Sequence, residues 1–168
     1  MYDLVRVCIV YYSKSGRTKH VAKVLRELLE KEGFSVDLFR VKPVRDYGIL
    51  LHVNPRVNYD TLAGRAVEIK GLEDFNPDNY DAIVIGSPIW FNNITPPIRS
   101  FIELFKGRIS KPVICYTTSN IRRGYTKKFK KLLESLGYRV VLDFSITKLE
   151  KCKQILPSIA EFIKGIFK

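Results

Sequence analysis

A chain of 168 residues, 46% hydrophobic and 27% charged, has the composition of a globular protein long enough for one substantial core, which excludes wholesale disorder and makes a single domain over 1–168 the expectation. Its apolar runs are of strand length, short of the ~20 residues of a membrane span, and Met1-Tyr2-Asp3 leads into the first strand without a basic and apolar leader. The formal charge of +12 admits an acidic protein partner, an anionic surface or nucleic acid; Lys and Arg are spread along the chain, with one concentration from Arg122 to Lys131, so nucleic acid ranks behind the other readings.

Leu4 to Tyr11 reads as a continuous apolar strand broken by Arg6. From Arg17 to Lys31, Val21, Val24, Leu25, Leu28 and Leu29 recur at helical spacing, with Gly33 as the stop. His20 falls with Lys23, Glu27 and Glu30 on the polar face, where a solvent-facing role is expected. Phe34 to Leu38 alternates apolar and polar, as a strand with one exposed face does.

The connection from Lys42 to Asp81 does not fit a simple crossover. Its irregular insertion, 42–79, carries Pro43, Pro55, Gly64, Gly71 and Pro77, and only Tyr59 to Ile69 has helical character. A connection of this length is usually functional or partner-facing. Ala82 to Ile85 and Pro112 to Cys115 are uninterrupted apolar strands, of the kind covered on both faces. Between them Ile98, Phe101, Ile102 and Phe105 form a helical stripe that Thr95 and Pro96 begin. Tyr125, Phe129, Leu132, Leu133 and Leu136 form the next, closed by Gly137. Tyr138 to Phe144 alternates again, and Ile155, Ile159, Phe162, Ile163 and Ile166 make a last helix that Pro157 starts or kinks.

Strands alternating with helices imply parallel βαβ units joined by right-handed crossovers. With the alternating second and fifth strands at the edges, the expectation is an α/β three-layer, doubly wound sandwich around a five-stranded parallel sheet of order 2-1-3-4-5. That order puts a ligand crevice at the carboxyl ends of strands one and three.

Three stretches flank the crevice. Ser13-Lys14-Ser15-Gly16-Arg17-Thr18 joins the first strand to the first helix, where unpaired N–H groups and the helix dipole favour an anion. It supplies three hydroxyls and a glycine that permits close backbone approach. Lys14 and Arg17 are expected to raise the local potential more than to coordinate. Gly86-Ser87-Pro88-Ile89-Trp90-Phe91-Asn92-Asn93 leaves the third strand with the only Trp of the chain, on which a planar ligand could stack while amides near Ser87 and Asn92 meet its polar edge. Packing beneath the next helix is the structural alternative for Trp90. Thr117-Thr118-Ser119-Asn120 would form the remaining wall, unless Ser119 or Asn120 caps the following helix.

Competing motifs are missing. The nucleotide loop Gly-x-x-x-x-Gly-Lys-Ser/Thr and the dinucleotide Gly-x-Gly-x-x-Gly do not occur here, no acidic pair ends the first strand, and no Cys starts the loop. Cys8, Cys115 and Cys152 form no Cys-x-x-Cys pair, so neither a disulfide framework nor a metal site is expected and a reduced cytoplasmic setting is the simplest reading. Cys8 and Cys115 read as core residues.

A phosphate socket, an aromatic loop and a polar loop suit a mononucleotide with a flat ring. The chain here resembles the flavodoxin family. Ser13 to Thr18 matches the family's Ser/Thr-x-Ser/Thr-Gly-x-Thr loop, Tyr80 to Trp90 resembles the third strand and ring-binding loop of small flavodoxin-like oxidoreductases, and Pro96 to Phe101 resembles the helix start that follows. The resemblance implies FMN as cofactor, bound by Ser13 to Thr18, Ser87 to Asn92 and Thr117 to Asn120. It implies electron transfer from NAD(P)H to a quinone or other small acceptor at the flavin itself, with no catalytic side chain. A carrier that docks an acidic redox protein is the alternative, a fold that has lost its flavin is a third, and a second copy of the chain remains open as a partner. Two features depart from the family's electron carriers. The chain is basic where they are acidic, and the third loop has no aromatic before Tyr125, which leaves Tyr125, Phe91 or the insertion to cover the outer ring face. Arg122 or Arg123 near the ring would favour the reduced flavin anion and two-electron chemistry.

Overall fold

The computed structural model describes residues 4–48, 54–121 and 123–168. Five parallel strands carry the architecture: β1 (Arg6–Tyr11), β2 (Ser35–Arg40), β5 (Ala82–Trp90), β7 (Val113–Thr118) and β8 (Val140–Ile146), side by side in the order β2-β1-β5-β7-β8. This is the expected 2-1-3-4-5 order, with the two alternating strands at the edges. The uninterrupted apolar strands lie in the middle because both their faces are covered. On β1, Val7, Ile9 and Tyr11 enter one core and Cys8 and Val10 the other, which Tyr12, just past the strand, also joins.

The first core lies under α1 (Arg17–Lys31) and α5 (Cys152–Ile166), the second under α3 (Pro96–Leu104) and α4 (Tyr125–Ser135). Helix α1 has the bounds its periodicity predicts and buries Val21, Ala22, Leu25 and Leu29. His20 is exposed. Pro157 does not start α5. It lies inside the helix, on an exposed turn, where it leaves the Lys153 carbonyl without a helical N–H partner. The buried stripe of α5 is Cys152, Leu156, Ile159, Ala160 and Ile163, while Phe162 is 44% exposed; apolar spacing identified the helix but misplaced that residue on its shoulder.

Two further corrections concern connections. The insertion's helix, α2, is Pro55–Leu62 rather than Tyr59 to Ile69. Asn54 starts it by accepting the Arg56 N–H at 3.0 Å, with Pro55 in the first turn, a start signal stronger than the weak periodicity downstream. Ile69–Lys70 is instead a short strand, β4, paired antiparallel with β3 (Lys42–Pro43). The third parallel strand does not become a loop at Gly86. It continues to Trp90 and turns back through β6 (Asn93–Ile94), with Ile89 opposite Ile94 and Trp90 opposite Asn93. Pro88 is accommodated there beside Thr118 of β7, where the sequence pattern, broken by Gly86 and Pro88, conceals a strand.

Candidate functional site

Gly16 makes the turn between β1 and α1. Its φ of +91° is the left-handed conformation a glycine adopts without strain, and its N–H donates to the Ser13 hydroxyl at 3.1 Å. The first intrahelical bond runs from His20 N–H to Gly16 O at 2.9 Å, so the N–H groups of Arg17, Thr18 and Lys19 have no partner within the helix. There is no acidic side chain in this first turn. The local field therefore favours an anion.

Neighbouring elements hold this loop from three sides. Arg40, at the end of β2, donates to the Ser13 carbonyl at 2.8 Å. Lys14 forms an ion pair with Asp46 at 2.7 Å, and the same carboxylate accepts the Tyr47 N–H at 2.7 Å. The Lys14 hydrogen bond holds the Asp46 carboxyl below its ordinary range. Arg17 reaches across the crevice to Asn120 Oδ1 (2.5 Å), the Ser119 carbonyl (3.2 Å) and the Thr147 carbonyl (2.8 Å). The Thr18 and Thr118 hydroxyls meet at 2.7 Å. Lys14 and Arg17 are thus occupied in holding the loops together, and Ser15 is exposed at the loop tip.

The hairpin that follows β5 is tight. Phe91 and Asn92 alone form its turn, at φ +45° and +65°. Two positive φ values are what a type I′ two-residue turn demands, but Phe supplies one only with strain. The turn is clamped by α4. The Tyr125 hydroxyl donates to Asn92 Oδ1 at 2.8 Å, and Lys128 donates to the Asn92 carbonyl (3.3 Å) and Asn93 Oδ1 (2.5 Å). Ser87 is fully buried; its hydroxyl donates to the Pro88 carbonyl at 2.8 Å and accepts the Thr95 N–H at 3.0 Å. Its side chain locks the base of the hairpin.

Trp90 is half-buried between two tyrosines set nearly perpendicular to it, Tyr12 at 5.4 Å and Tyr47 at 5.7 Å between ring centroids. Tyr47 belongs to the insertion, is buried, and donates its hydroxyl to Asp60 of α2 at 3.2 Å. Burial and the Asp60 carboxylate push its hydroxyl pKa up. The insertion therefore reaches the aromatic end of the crevice. Ile89 packs on the second core.

On the third wall, Thr117 pairs its hydroxyl with Thr126 at 2.9 Å and Ser119 donates to the Ile121 carbonyl at 2.7 Å. Neither Ser119 nor Asn120 caps α4, whose cap is Gly124 at φ +68°; Ser119 closes its own turn and Asn120 accepts from Arg17. Arg122 lies outside the described residues, and Arg123 is exposed.

The structure thus brings together Ser13 to Thr18, the hairpin from Ser87 to Asn92, and Thr117 to Asn120 along one crevice. Sequence reading missed Tyr12, Arg40, Asp46, Tyr47 and Lys128. The first stands beside the loop in sequence, but the other four come from the end of β2, the insertion and the first turn of α4, where no motif marks them.

Over residues 5–147 the chain matches the family model described as NADPH-dependent FMN reductase. It is 26% identical over 104 residues to an NAD(P)H dehydrogenase (quinone) of Caulobacter vibrioides, covering 62% of this chain and 48% of that protein. A Rhodopseudomonas palustris protein of the same name is 27% identical over 111 residues, 66% of this chain and 52% of that one. The chain spans about half the length of these curated relatives. Among solved structures, a flavoprotein in complex with FMN from Lactobacillus acidophilus superposes with a TM-score of 0.69 at 23% identity, covering 84% of this chain and 93% of that one. A flavodoxin from the domain Archaea superposes with a TM-score of 0.61 at 17% identity, covering 95% and 99%. The fold is that of the flavodoxins.

Proposed function

This chain belongs to the family of NADPH-dependent FMN reductases, and on that premise we propose that it binds FMN at the β1–α1 loop and passes electrons from NAD(P)H to a quinone or other small acceptor. The observation that carries this is the start of α1: unpartnered N–H groups behind a left-handed Gly16, without a carboxylate in the turn, next to a half-buried Trp90. The residues fit the group. The Arg17, Thr18 and Lys19 amides would meet its phosphate, and the hairpin around Trp90 its flat ring. When bound, FMN supplies the redox chemistry. The chain's own part is to hold and orient. Arg17 and the Thr18–Thr118 pair fix the phosphate loop against the third loop, and Tyr125 and Lys128 fix the hairpin. Tyr12 and Tyr47 border Trp90 and limit water at that end of the crevice.

The buried free thiols of Cys8, Cys115 and Cys152 support a reducing, cytoplasmic setting. The test is purification followed by assay with NADPH and NADH, using menadione as acceptor. The expected result is a yellow protein whose donor oxidation depends on FMN and on acceptor. A protein that neither retains nor rebinds FMN, or that oxidises neither donor, overturns the reading.

A second reading, a carrier that docks an acidic redox protein, is favoured by the exposed Arg123, Lys127 and Lys131 around the start of α4. In that case electron delivery to an acidic acceptor protein outpaces delivery to menadione and falls steeply with salt.

A further inference from the structure

A cavity of about 310 Å3 opens beside the β1–α1 loop, between the end of β2 and the β3–β4 ribbon. Four of its lining residues are cationic, Lys14, Arg40, Lys42 and Lys70, against one carboxylate, Asp46. Lys14 takes up that carboxylate. Among the described residues no carboxylate lies within ion-pair distance of Arg40, Lys42 or Lys70. Glu68 and Glu73 are the acidic groups nearest Lys70 along the chain; neither forms an ion pair with it, and Glu73 accepts the Gly71 N–H at 3.0 Å.

The arrangement leaves positive charge uncompensated, with Lys42 and Lys70 exposed to solvent. In the β3–β4 ribbon Lys42 stands directly opposite Lys70, and like charges facing across strands destabilise the pair. The ribbon cannot readily slide to separate them. Gly71 follows Lys70 so close to β2 that an added Cβ would lie 2.3 Å from the Arg40 carbonyl. Two polar groups of the lining also lack partners. Tyr12, only 3% exposed, has no hydrogen-bond partner for its hydroxyl among the described residues, and neither has Arg40 Nε. Buried donors left this way normally cost free energy.

We propose that this cavity is a second anion subsite, taking a phosphate dianion between Arg40, Lys42 and Lys70, carried on a nucleotide as a phosphomonoester or bound as free phosphate. Arg40 connects it to the first site, since its Nη2 holds the Ser13 carbonyl. The two sites share the loop and use different groups: backbone amides of α1 in one, side chains of β2, β3 and β4 in the other.

The test titrates inorganic phosphate and adenosine 2′-monophosphate into FMN-loaded protein at low ionic strength, by calorimetry, for wild type and Lys42→Met/Lys70→Met. FMN loading rests on the function proposed above and fills the loop site; its failure shows in the absorbance of the flavin and is distinct from loss of phosphate binding. The expected result is roughly tenfold or more weakening in the double variant. Preference for the nucleotide identifies a phosphomonoester as the natural ligand, and equal affinity identifies free phosphate. The variant's melting temperature without added phosphate is expected to equal or exceed wild type, because the facing lysines are gone, which excludes misfolding as the cause. Wild-type and variant protein binding both probes equally, or wild type binding neither at 10 mM, roughly the weakest affinity worth the name, overturns the proposal.

Discussion

Tyr116, fully enclosed in the sheet, donates its hydroxyl to the backbone carbonyl of Thr18 at 2.9 Å. The bond ties the centre of β7 to the first turn of α1, the turn whose free amides are proposed to take the phosphate. Burial drives the hydroxyl pKa well above its ordinary value, so the group remains a donor throughout the physiological range. Its ring lies where a side chain on Gly86 would stand, with Cζ only 2.1 Å from an added Cβ. Gly86 is therefore required by the strand next door.

Gly86→Ala is expected to destabilise by about 3 kcal/mol, because ring and backbone cannot both stay in place. Tyr116→Phe removes the bond without the clash and is expected to cost about 1 kcal/mol. Denaturant unfolding of both variants reads the difference. Equal costs would show that the hydroxyl, and not the close approach, dominates.

Arg17 holds the third loop and the end of β8 through one guanidinium. Arg17→Lys keeps the charge and loses the fork, and is expected to cost about 2 kcal/mol and to weaken FMN binding more than it weakens folding elsewhere. Amide hydrogen exchange around 117–121 is expected to accelerate in this variant. Unchanged exchange there would place the tie elsewhere.

Phe91 at φ +45° holds strain of about 1 kcal/mol. Phe91→Asn, which adopts that conformation more readily, is expected to raise the melting temperature by about 2–4 °C and to lower flavin affinity, since the aromatic at the turn is lost. A lower melting temperature would mean that packing of Phe91 outweighs its strain.

Because Lys14 depresses the Asp46 carboxyl pKa in the folded protein, this contact stabilises fully above the ordinary carboxylate value of 3.8 and its contribution is lost as pH falls through the lowered folded value. The Asp46 side chain is 70% exposed, so the effect is under about 1 kcal/mol. The stability difference between wild type and Asp46→Asn is expected to be constant from pH 7 to pH 5, roughly a unit above that value, and to vanish in stronger acid. A difference that grows toward acid would contradict the ion pair.

Periodicity and burial pattern were enough for the sheet. Uninterrupted Ala82 to Ile85 against alternating Phe34 to Leu38 distinguishes centre from edge, and that distinction sets the strand order and so the crevice. The loop at Ser13 to Thr18 was legible because its chemistry is backbone chemistry: Gly16 at the turn and hydroxyls beside it. What lay hidden depends on long-range partners. The bonds of the Ser87 hydroxyl to Pro88 and Thr95 have no sequence signal, and the Phe91-Asn92 turn lacks the glycine that would have announced a hairpin. Arg40, Asp46, Tyr47 and Lys128 reach the site from segments whose own sequence says nothing of where the fold brings them.

The central claim, that the start of α1 holds the phosphate of FMN, is tested most directly by titrating apo protein with FMN and with riboflavin, reading the emission of Trp90, the only Trp in the chain. FMN is expected to bind at least about 100-fold more tightly than riboflavin, which lacks the phosphate, and Gly16→Val, which cannot hold φ +91° without strain, is expected to remove most of that preference. Riboflavin binding as tightly as FMN in the wild-type protein would contradict it.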